Sequence, residues 1–257
     1  MKNFTILLPL FLFQLLFSQQ VLKTDFAASY NVEYPIFKKK NSEQFLLFIN
    51  TKENTSYYRS ANQYVLDSLS KRGKISNDDV MSSIPYDTAL GEEVVRKNNI
   101  FTVYEKVKDA KLKYTEPINL KWTIYKDTKV YAGYKTRKAI TTAYGRKWIA
   151  WYTEDLPLNF GPYKFCGLPG IIVNMYDEKG EYYLTLTQFK KKVKQIDLPK
   201  DKSYKNFTKQ KAKQAKYNAL SNINGIVFED PNEKRRMEQV NQKRIKESPQ
   251  LDIEGNN

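Results

Sequence analysis

Histidine is absent from this 257-residue sequence, and cysteine occurs once, as Cys166. Without histidine, the Ser-His-Asp and Cys-His arrangements that activate nucleophiles cannot form. Zinc sites that depend on histidine are excluded too, because one cysteine cannot replace those ligands. Only carboxylate-pair and Ser-Lys chemistries remain. The composition therefore favours a protein without catalytic activity, and we expect neither a metal nor another cofactor.

A single thiol also cannot form an internal disulfide, so the stability of the fold must come from its core. The hydrophobic content of 41% is sufficient for one. Nineteen tyrosines and fourteen phenylalanines favour strands over helices, because aromatic side chains pack well on a pleated surface. After residue 17 no apolar run approaches the roughly 20 residues of a membrane span.

The N-terminus has the pattern of a secretory signal. Lys2 precedes an apolar run from Phe4 to Phe17, and the small residue Ser18 follows it. We expect cleavage near Ser18, so that residues 1–18 are a signal peptide and the mature protein is soluble in the periplasm or outside the cell. An uncleaved anchor helix is the alternative.

The formal charge of +15 is concentrated in one segment. Residues 190–216 contain eleven lysines and two aspartates, a net charge of 11 − 2 = +9. Such a run is usually a solvated face, and an exported protein rarely meets DNA. We therefore expect no nucleic-acid partner, and contact with an anionic membrane surface is the better electrostatic match.

Strand patterns dominate residues 44–196. Residues 44–50 and 56–59 read as a hairpin, residues 100–107 alternate apolar and polar side chains, and residues 170–176 and 181–189 form a hairpin around Gly180. Turns are predicted at Asp127-Thr128, Gly133 and Gly145-Arg146. We predict a mainly β, β-rich α+β fold: a single twisted antiparallel sheet or half-barrel of about 8–10 strands.

The remaining segments are less regular. Residues 22–42 are polar and mixed, and residues 64–98 read as a polar connector with one short helix. Residues 203–222 predict a helix lying on the sheet, with Ser203 as a candidate cap. We expect one domain over residues 19–230 and a charged, partly disordered tail over residues 231–257, in a chain that is monomeric.

Residues 133–176 form the most distinctive stretch. It combines Gly133-Tyr134, Ala150-Trp151-Tyr152-Thr153 and Gly161-Pro162 with the hexapeptide Gly167-Leu168-Pro169-Gly170-Ile171-Ile172. This combination resembles the GLPGLI family of exported proteins from the Bacteroidetes, whose molecular role is not established. Members often carry a cysteine where this chain has Thr136, so Cys166 stands alone. The resemblance implies a compartment and a class of protein rather than a reaction.

The candidate binding residues belong to this stretch. Gly167 and Gly170 can adopt dihedrals that other residues avoid, while Pro169 fixes its own φ and keeps Leu168 extended. A structural corner is the simpler interpretation, and a loop shaped for a ligand or partner is the alternative.

The two neighbouring tryptophans and the cysteine offer further candidates. Trp148 and Trp151 should lie on opposite faces of their strand. One is then in the core, and the other is either exposed for binding or covered by the connector or the tail helix. Cys166 reads as a small buried side chain rather than a reactive thiol.

Three functions remain. The first is an exported, non-catalytic binding or carrier protein of the cell envelope, with an apolar or lipid-like ligand. The second is an assembly factor that docks an outer-membrane partner through its basic C-terminal region. The third is a carboxylate-based hydrolase, which would need two carboxylates facing each other in a cleft.

Overall fold

The computed structural model describes residues 20–75, 80–108, 110–222 and 230–254, so the predicted signal peptide lies outside the described residues. The strands are β1 (Val21–Ile36), β2 (Lys39–Asn50), β3 (Thr55–Ser60), β4 (Glu93–Lys97), β5 (Ile100–Val107), β6 (Ala110–Pro117), β7 (Thr123–Tyr131), β8 (Tyr134–Ala143), β9 (Arg146–Thr153), β10 (Ile171–Asp177), β11 (Tyr183–Asp197) and β12 (Lys205–Asn206). The helices are α1 (Ala61–Lys71), α2 (Val80–Ser83), α3 (Lys209–Ser221) and α4 (Pro231–Lys246). None of the helices in these ranges is long and apolar enough to cross a membrane.

All twelve strands form one open sheet, in the order β12-β6-β5-β4-β3-β2-β1-β11-β10-β9-β8-β7. Every pairing is antiparallel except that of β12 with β6. Two meanders, β1 to β6 and β7 to β11, therefore lie side by side and are joined where β1 pairs with β11. The prediction of a mainly β half-barrel with a helix after the sheet is confirmed, but the sheet has twelve strands rather than about 8–10, because residues before 44 and after 196 also contribute strands.

The link between the two meanders explains the curvature of the sheet. β6 and β7 lie near opposite edges, yet only residues 118–122 connect Pro117 to Thr123. Six residue steps span at most about 21 Å, at roughly 3.5 Å per step. The sheet must therefore curl until those edges approach each other, which encloses a concave face.

Several strand predictions are confirmed and three are corrected. The hairpins β2–β3 and β10–β11 pair as expected. Residues 22–42, however, form β1 and the start of β2. Every second side chain from Ala28 to Tyr34 is buried in the concave core, whereas Leu22 packs on the other face, because the register shifts between Thr24 and Phe26. The connector contains the strand β4. Asp127 and Thr128 do not form a turn; β7 continues through them with a shift in register.

The C-terminal region also differs from expectation. α3 begins at Lys209, and Thr208, not Ser203, caps it by accepting a hydrogen bond from the Lys211 amide. Beyond the mostly exposed helix α4, residues 250–254 pack onto the sheet, and Leu251 and Asp252 are buried. The charged tail predicted over residues 231–257 thus contains side chains that pack against the sheet.

The concave face is filled by the chain itself. The loop between β9 and β10, residues 154–170 (hereafter the plug), inserts its apolar side chains into the largest core cluster; they are Phe160, Tyr163, Phe165, Cys166 and Leu168. A smaller cluster occupies the other face, where Tyr64 of α1 packs against Phe48. The concave face is therefore a packed core rather than an open apolar cavity.

Candidate functional site

The two tryptophans lie on opposite faces, as predicted, but both are buried. Trp148 belongs to the concave core and meets Phe165 edge-on, with ring centroids 4.9 Å apart. Trp151 is only 3% exposed and is covered by Tyr131 and Lys129 of β7 rather than by the tail helix. Neither indole presents an open surface to a ligand.

The Gly167–Gly170 corner is built by steric constraints. Gly167 has φ of 91°, a conformation that glycine adopts without strain. Gly170 is needed for a different reason than expected: a Cβ there would lie 1.8 Å from the carbonyl oxygen of Thr153. Leu168 is buried in the core while Pro169 is exposed. These contacts account for the motif as architecture.

Cys166 is buried beside the corner. Burial raises the pKa of its thiol, which disfavours the reactive thiolate. Its carbonyl oxygen accepts a hydrogen bond of 2.9 Å from the Trp122 indole, which ties the plug to the link between β6 and β7. This environment agrees with a structural side chain.

A cluster of three lysines forms the most unusual feature of the concave face. Lys164 of the plug is 0% exposed, whereas lysines are almost never fully buried without a partner. Lys209 and Lys213, one helical turn apart on α3, reach the same region. We call these three residues the lysine site.

The C-terminal segment, residues 249–254, supplies the counter-charge. The carboxylate of Asp252 is fully buried and contacts the ammonium groups of Lys164, Lys209 at 2.8 Å and Lys213 at 3.1 Å. The carboxylate of Glu254 lies 3.0 Å from the Lys209 ammonium group. The segment thus inserts one carboxylate into the site and lays a second across its rim.

Three aromatic rings surround the buried ammonium group. The Nζ atom of Lys164 lies 4.2 Å from the ring centroid of Tyr144, 5.0 Å from that of Tyr163 and 5.9 Å from that of Tyr114. Cations are attracted to the faces of such rings, and more strongly where water is excluded. The site is therefore shaped for charge but walled by apolar surface.

The charges balance only while the segment is in place. The only other carboxylate in direct contact with the site, among the described residues, is that of Glu116, 2.5 Å from Lys164 and 3.1 Å from Lys209. Three ammonium groups thus face three carboxylates, of which Asp252 and Glu254 belong to the segment. Burial alone would raise the pKa of Asp252, but Lys164 and Lys213 lower it to about 2. Burial lowers the pKa of Lys213.

A small cavity remains between the segment and the sheet. It measures about 20 Å³ and is lined in part by Tyr58, Glu92, Tyr163 and residues 249–252. That volume holds about one water molecule. The hydroxyl of Tyr58 is buried and has no hydrogen-bond partner among the described residues. The segment therefore leaves a small unfilled space in its groove, next to a tyrosine whose hydroxyl lacks a hydrogen bond.

No contiguous motif in the sequence marks this site. Its members are far apart in the chain: Lys164 and Asp252 are separated by 88 residues. The readable signals were the spacing of Lys209 and Lys213 on one helix face and the apolar residues Leu251 and Ile253 within a charged tail. Glu116 and Asp252 do share the ammonium group of Lys164, but they are closed in by lysines and not arranged across an open cleft.

Comparisons with known proteins identify the fold but no activity. The model of the Porph_ging family, described as a protein of unknown function, matches residues 104–174. No curated protein matches the sequence significantly.

Two solved structures of PNGF-II, from two crystal forms, match 77% of this chain at 14% identity, with TM-scores of 0.52 and 0.51. The chain spans about a third of PNGF-II, 34% and 33% of the two chains, so the likeness concerns the fold of that part.

Two weaker matches concern other proteins. The Pseudomonas aeruginosa MucA/MucB complex has a TM-score of 0.31 at 10% identity, covering 73% of this chain and 56% of that one. A LolA superfamily protein from Nitrosomonas europaea has a TM-score of 0.29 at 8% identity, covering 71% and 91%. Scores this low do not establish a shared fold.

Proposed function

We propose that this chain is an exported, non-catalytic binding protein of the cell envelope that holds its ligand by a carboxylate in the lysine site. The observation that carries the proposal is the buried carboxylate of Asp252 among Lys164, Lys209 and Lys213. A site that neutralises one carboxylate from the chain itself has the chemistry to bind the same group from another molecule.

Export is the second part of the proposal. The apolar N-terminal run and the GLPGLI-like combination in residues 133–176 support it, and we infer that the chain is a GLPGLI protein. The match of the Porph_ging model covers the Gly167–Ile172 hexapeptide. The absence of histidine supports the non-catalytic role, since it removes the most common nucleophile-activating base.

The packed concave face refines the ligand chemistry. An apolar or lipid-like ligand cannot simply enter, because the plug and the C-terminal segment fill the space. A ligand would have to take the place of residues 249–254, with its carboxylate where Asp252 lies and an apolar group where Leu251 lies. The ligand is therefore a carboxylate joined to an apolar body, which describes both a fatty acid and an acidic peptide.

The test uses a full-length chain whose own carboxylates are removed. In the double variant D252N/E254Q, Glu116 is the one carboxylate of the described residues that remains in direct contact with the lysine site. In isothermal titration, the double variant should bind laurate, or a peptide with the sequence of residues 248–254, at least tenfold more tightly than the wild type does. If neither probe binds the folded double variant, the proposal is wrong.

A second candidate function is docking of an envelope partner through basic surface. The pairing of β10 with β11 ends at Asn174 and Thr185. From Gln188 to Asp197, among the described residues, β11 pairs with β1 on one side and has no strand on the other. Lys190, Lys191 and Lys194 are exposed along that stretch. Exposed lysines also protect an edge from unwanted strand pairing, which is the simpler explanation.

A pull-down from envelope extract separates the two explanations. Replacing Lys190 and Lys191 by glutamine should release a partner that docks on β11. The matched control replaces Lys126 and Lys135, which are exposed on β7 and β8 at one edge of the sheet. If the first variant captures the same envelope proteins as the wild type, docking on β11 is excluded. If both variants bind anionic vesicles equally well, the β11 lysines are not a specific membrane-binding surface.

A further inference from the structure

We infer that the groove under residues 249–254 is a docking site for an extended acidic segment of another polypeptide, and that the chain's own segment is its competitor. The inference rests on the proposed function and selects a peptide as the ligand class. It depends on four observations: main-chain recognition, side-chain recognition, an incomplete fit and an excess of positive charge in the empty groove.

The groove recognises the main chain of its occupant. The Gln250 amide donates to the Tyr182 hydroxyl at 3.0 Å, and the Ile253 amide donates to the Tyr144 carbonyl oxygen at 3.1 Å. In return, Arg146 donates to the Gln250 carbonyl oxygen at 3.3 Å.

The ammonium group of Lys213 completes the main-chain recognition. It donates to two further carbonyl oxygens, those of Asp252 at 2.8 Å and Glu254 at 2.5 Å. A fatty acid offers none of these amide and carbonyl groups. Main-chain hydrogen bonds with pockets for chosen side chains are typical of sites that bind extended peptides.

Side-chain recognition follows the pattern apolar, acidic, apolar, acidic. Leu251 is buried in the concave core, and Asp252 is buried in the lysine site. Ile253 packs on the backbone of Gly145, where an added Cβ would lie 2.6 Å from its Cγ1 atom. Gly145 therefore serves both the β8–β9 turn and the close approach of the occupant.

The fit of the chain's own segment is incomplete. A cavity of about 20 Å³ stays unfilled beside residues 249–252, and Tyr58, one of the residues that line it, has a buried hydroxyl without a hydrogen-bond partner among the described residues. A buried hydroxyl without a hydrogen bond costs free energy, so an occupant that reaches it gains relative to the segment. An incomplete fit of the chain's own segment is what we expect if another polypeptide can displace it.

Electrostatics select an acidic occupant. With the segment gone, Glu116 is the only carboxylate of the described residues that still pairs with Lys164 and Lys209, and Glu92 acts on Lys213 without a direct ion pair. A buried charge without compensation is strongly unfavourable, so the empty groove attracts carboxylates. Neutral or basic peptides would leave that excess uncorrected.

The experiment measures fluorescence anisotropy of a labelled peptide with the sequence of residues 248–254, titrated with full-length chains. We expect D252N/E254Q to bind at least tenfold more tightly than the wild type, whose own segment competes. The same peptide with Asn and Gln in place of its Asp and Glu should bind at least tenfold more weakly. Equal binding of the acidic and amide peptides would overturn the inference.

Matched lysine substitutions on α3 provide the control. Added to the double variant, Lys213→Met should weaken binding at least tenfold, whereas Lys211→Met, at an exposed position of the same helix, should leave it unchanged. Equal losses would show unspecific attraction to a basic helix and would contradict the inference.

Binding of laurate but not of the peptide refutes the peptide inference while the proposed function stands; binding of neither refutes both.

A second measurement covers the case in which the double variant does not fold. In the wild type, excess acidic peptide should speed hydrogen exchange at the Ile253 amide at least fivefold. The Gly167 amide, which donates to the Asn159 carbonyl oxygen at 3.2 Å within the plug, should not change. An Ile253 exchange rate that does not respond to the acidic peptide would also overturn the inference.

Discussion

The plug and the C-terminal segment fill the same concave face, but different forces hold them. The plug lies between two strands, β9 and β10, and packs through aromatic and aliphatic side chains that include Phe160, Phe165 and Leu168. The segment is held chiefly by ion pairs and by hydrogen bonds to its main chain. Packing by shape responds little to pH or salt, whereas pairing by charge responds to both. We therefore expect the plug to be a permanent part of the core and the segment to be a removable one.

Replacement of Gly170 by alanine should have the largest effect on stability, because Gly170 belongs to the plug. The new Cβ would lie 1.8 Å from the Thr153 carbonyl oxygen, so the backbone of β9 or β10 must move. We expect G170A to lower the free energy of unfolding by at least about 3 kcal/mol, as strained core changes do. Urea unfolding followed by circular dichroism measures it. The control is G91A, whose Cβ would meet nothing closer than 4.0 Å; similar losses in both would contradict the steric explanation.

Replacing a leucine by alanine should destabilise the protein more in the plug than in the C-terminal segment. Leu168 and Leu251 are both buried in the same cluster. L168A should cost about 3 kcal/mol, since large-to-small core substitutions cost 2–5 kcal/mol. L251A should cost less than about 2 kcal/mol, because the segment can leave the groove and its release limits the loss. Urea unfolding of the two variants checks this, and equal costs would mean that the segment is as permanent as the plug.

Most strands and the Gly167–Gly170 corner were predictable from the sequence, and the insertion of the plug and the lysine site were not. Short strand-forming runs and the turns between them located the β2–β3 and β10–β11 hairpins, and alternation at period two located β5. β1 was missed because a register shift between Thr24 and Phe26 interrupts its alternation. The lysine site depends on contacts between β6, the plug, α3 and the chain's last described residues, and no local pattern encodes that meeting.

Acid should release the segment before the plug. Because the pKa of Asp252 in the folded protein is about 2, its contribution is present above the ordinary carboxyl pKa of about 4 and is lost as the pH falls through 2. We expect the wild type to lose about 2 kcal/mol of stability over that range. Chemical unfolding at several pH values should show a smaller loss for D252N, which lacks the titrating group. Equal acid sensitivity of the two proteins would assign the effect to other carboxylates.

The smallest effect should come from the rim of the segment. Glu254 is 50% exposed, and its contact with Lys209 at 3.0 Å is open to solvent, so the pair contributes at most about 0.5 kcal/mol. E254Q should therefore raise the exchange rate of the Ile253 amide about twofold at low salt. The difference should vanish at 1 M salt, where screening removes it. D197N, at an exposed pair with Lys71 of α1, the helix that packs on the other face of the sheet, should leave that amide unchanged. A large effect of E254Q would mean that the rim, rather than the buried carboxylate of Asp252, holds the segment. In that case the groove would select its occupant by general charge and not by the position of one carboxylate.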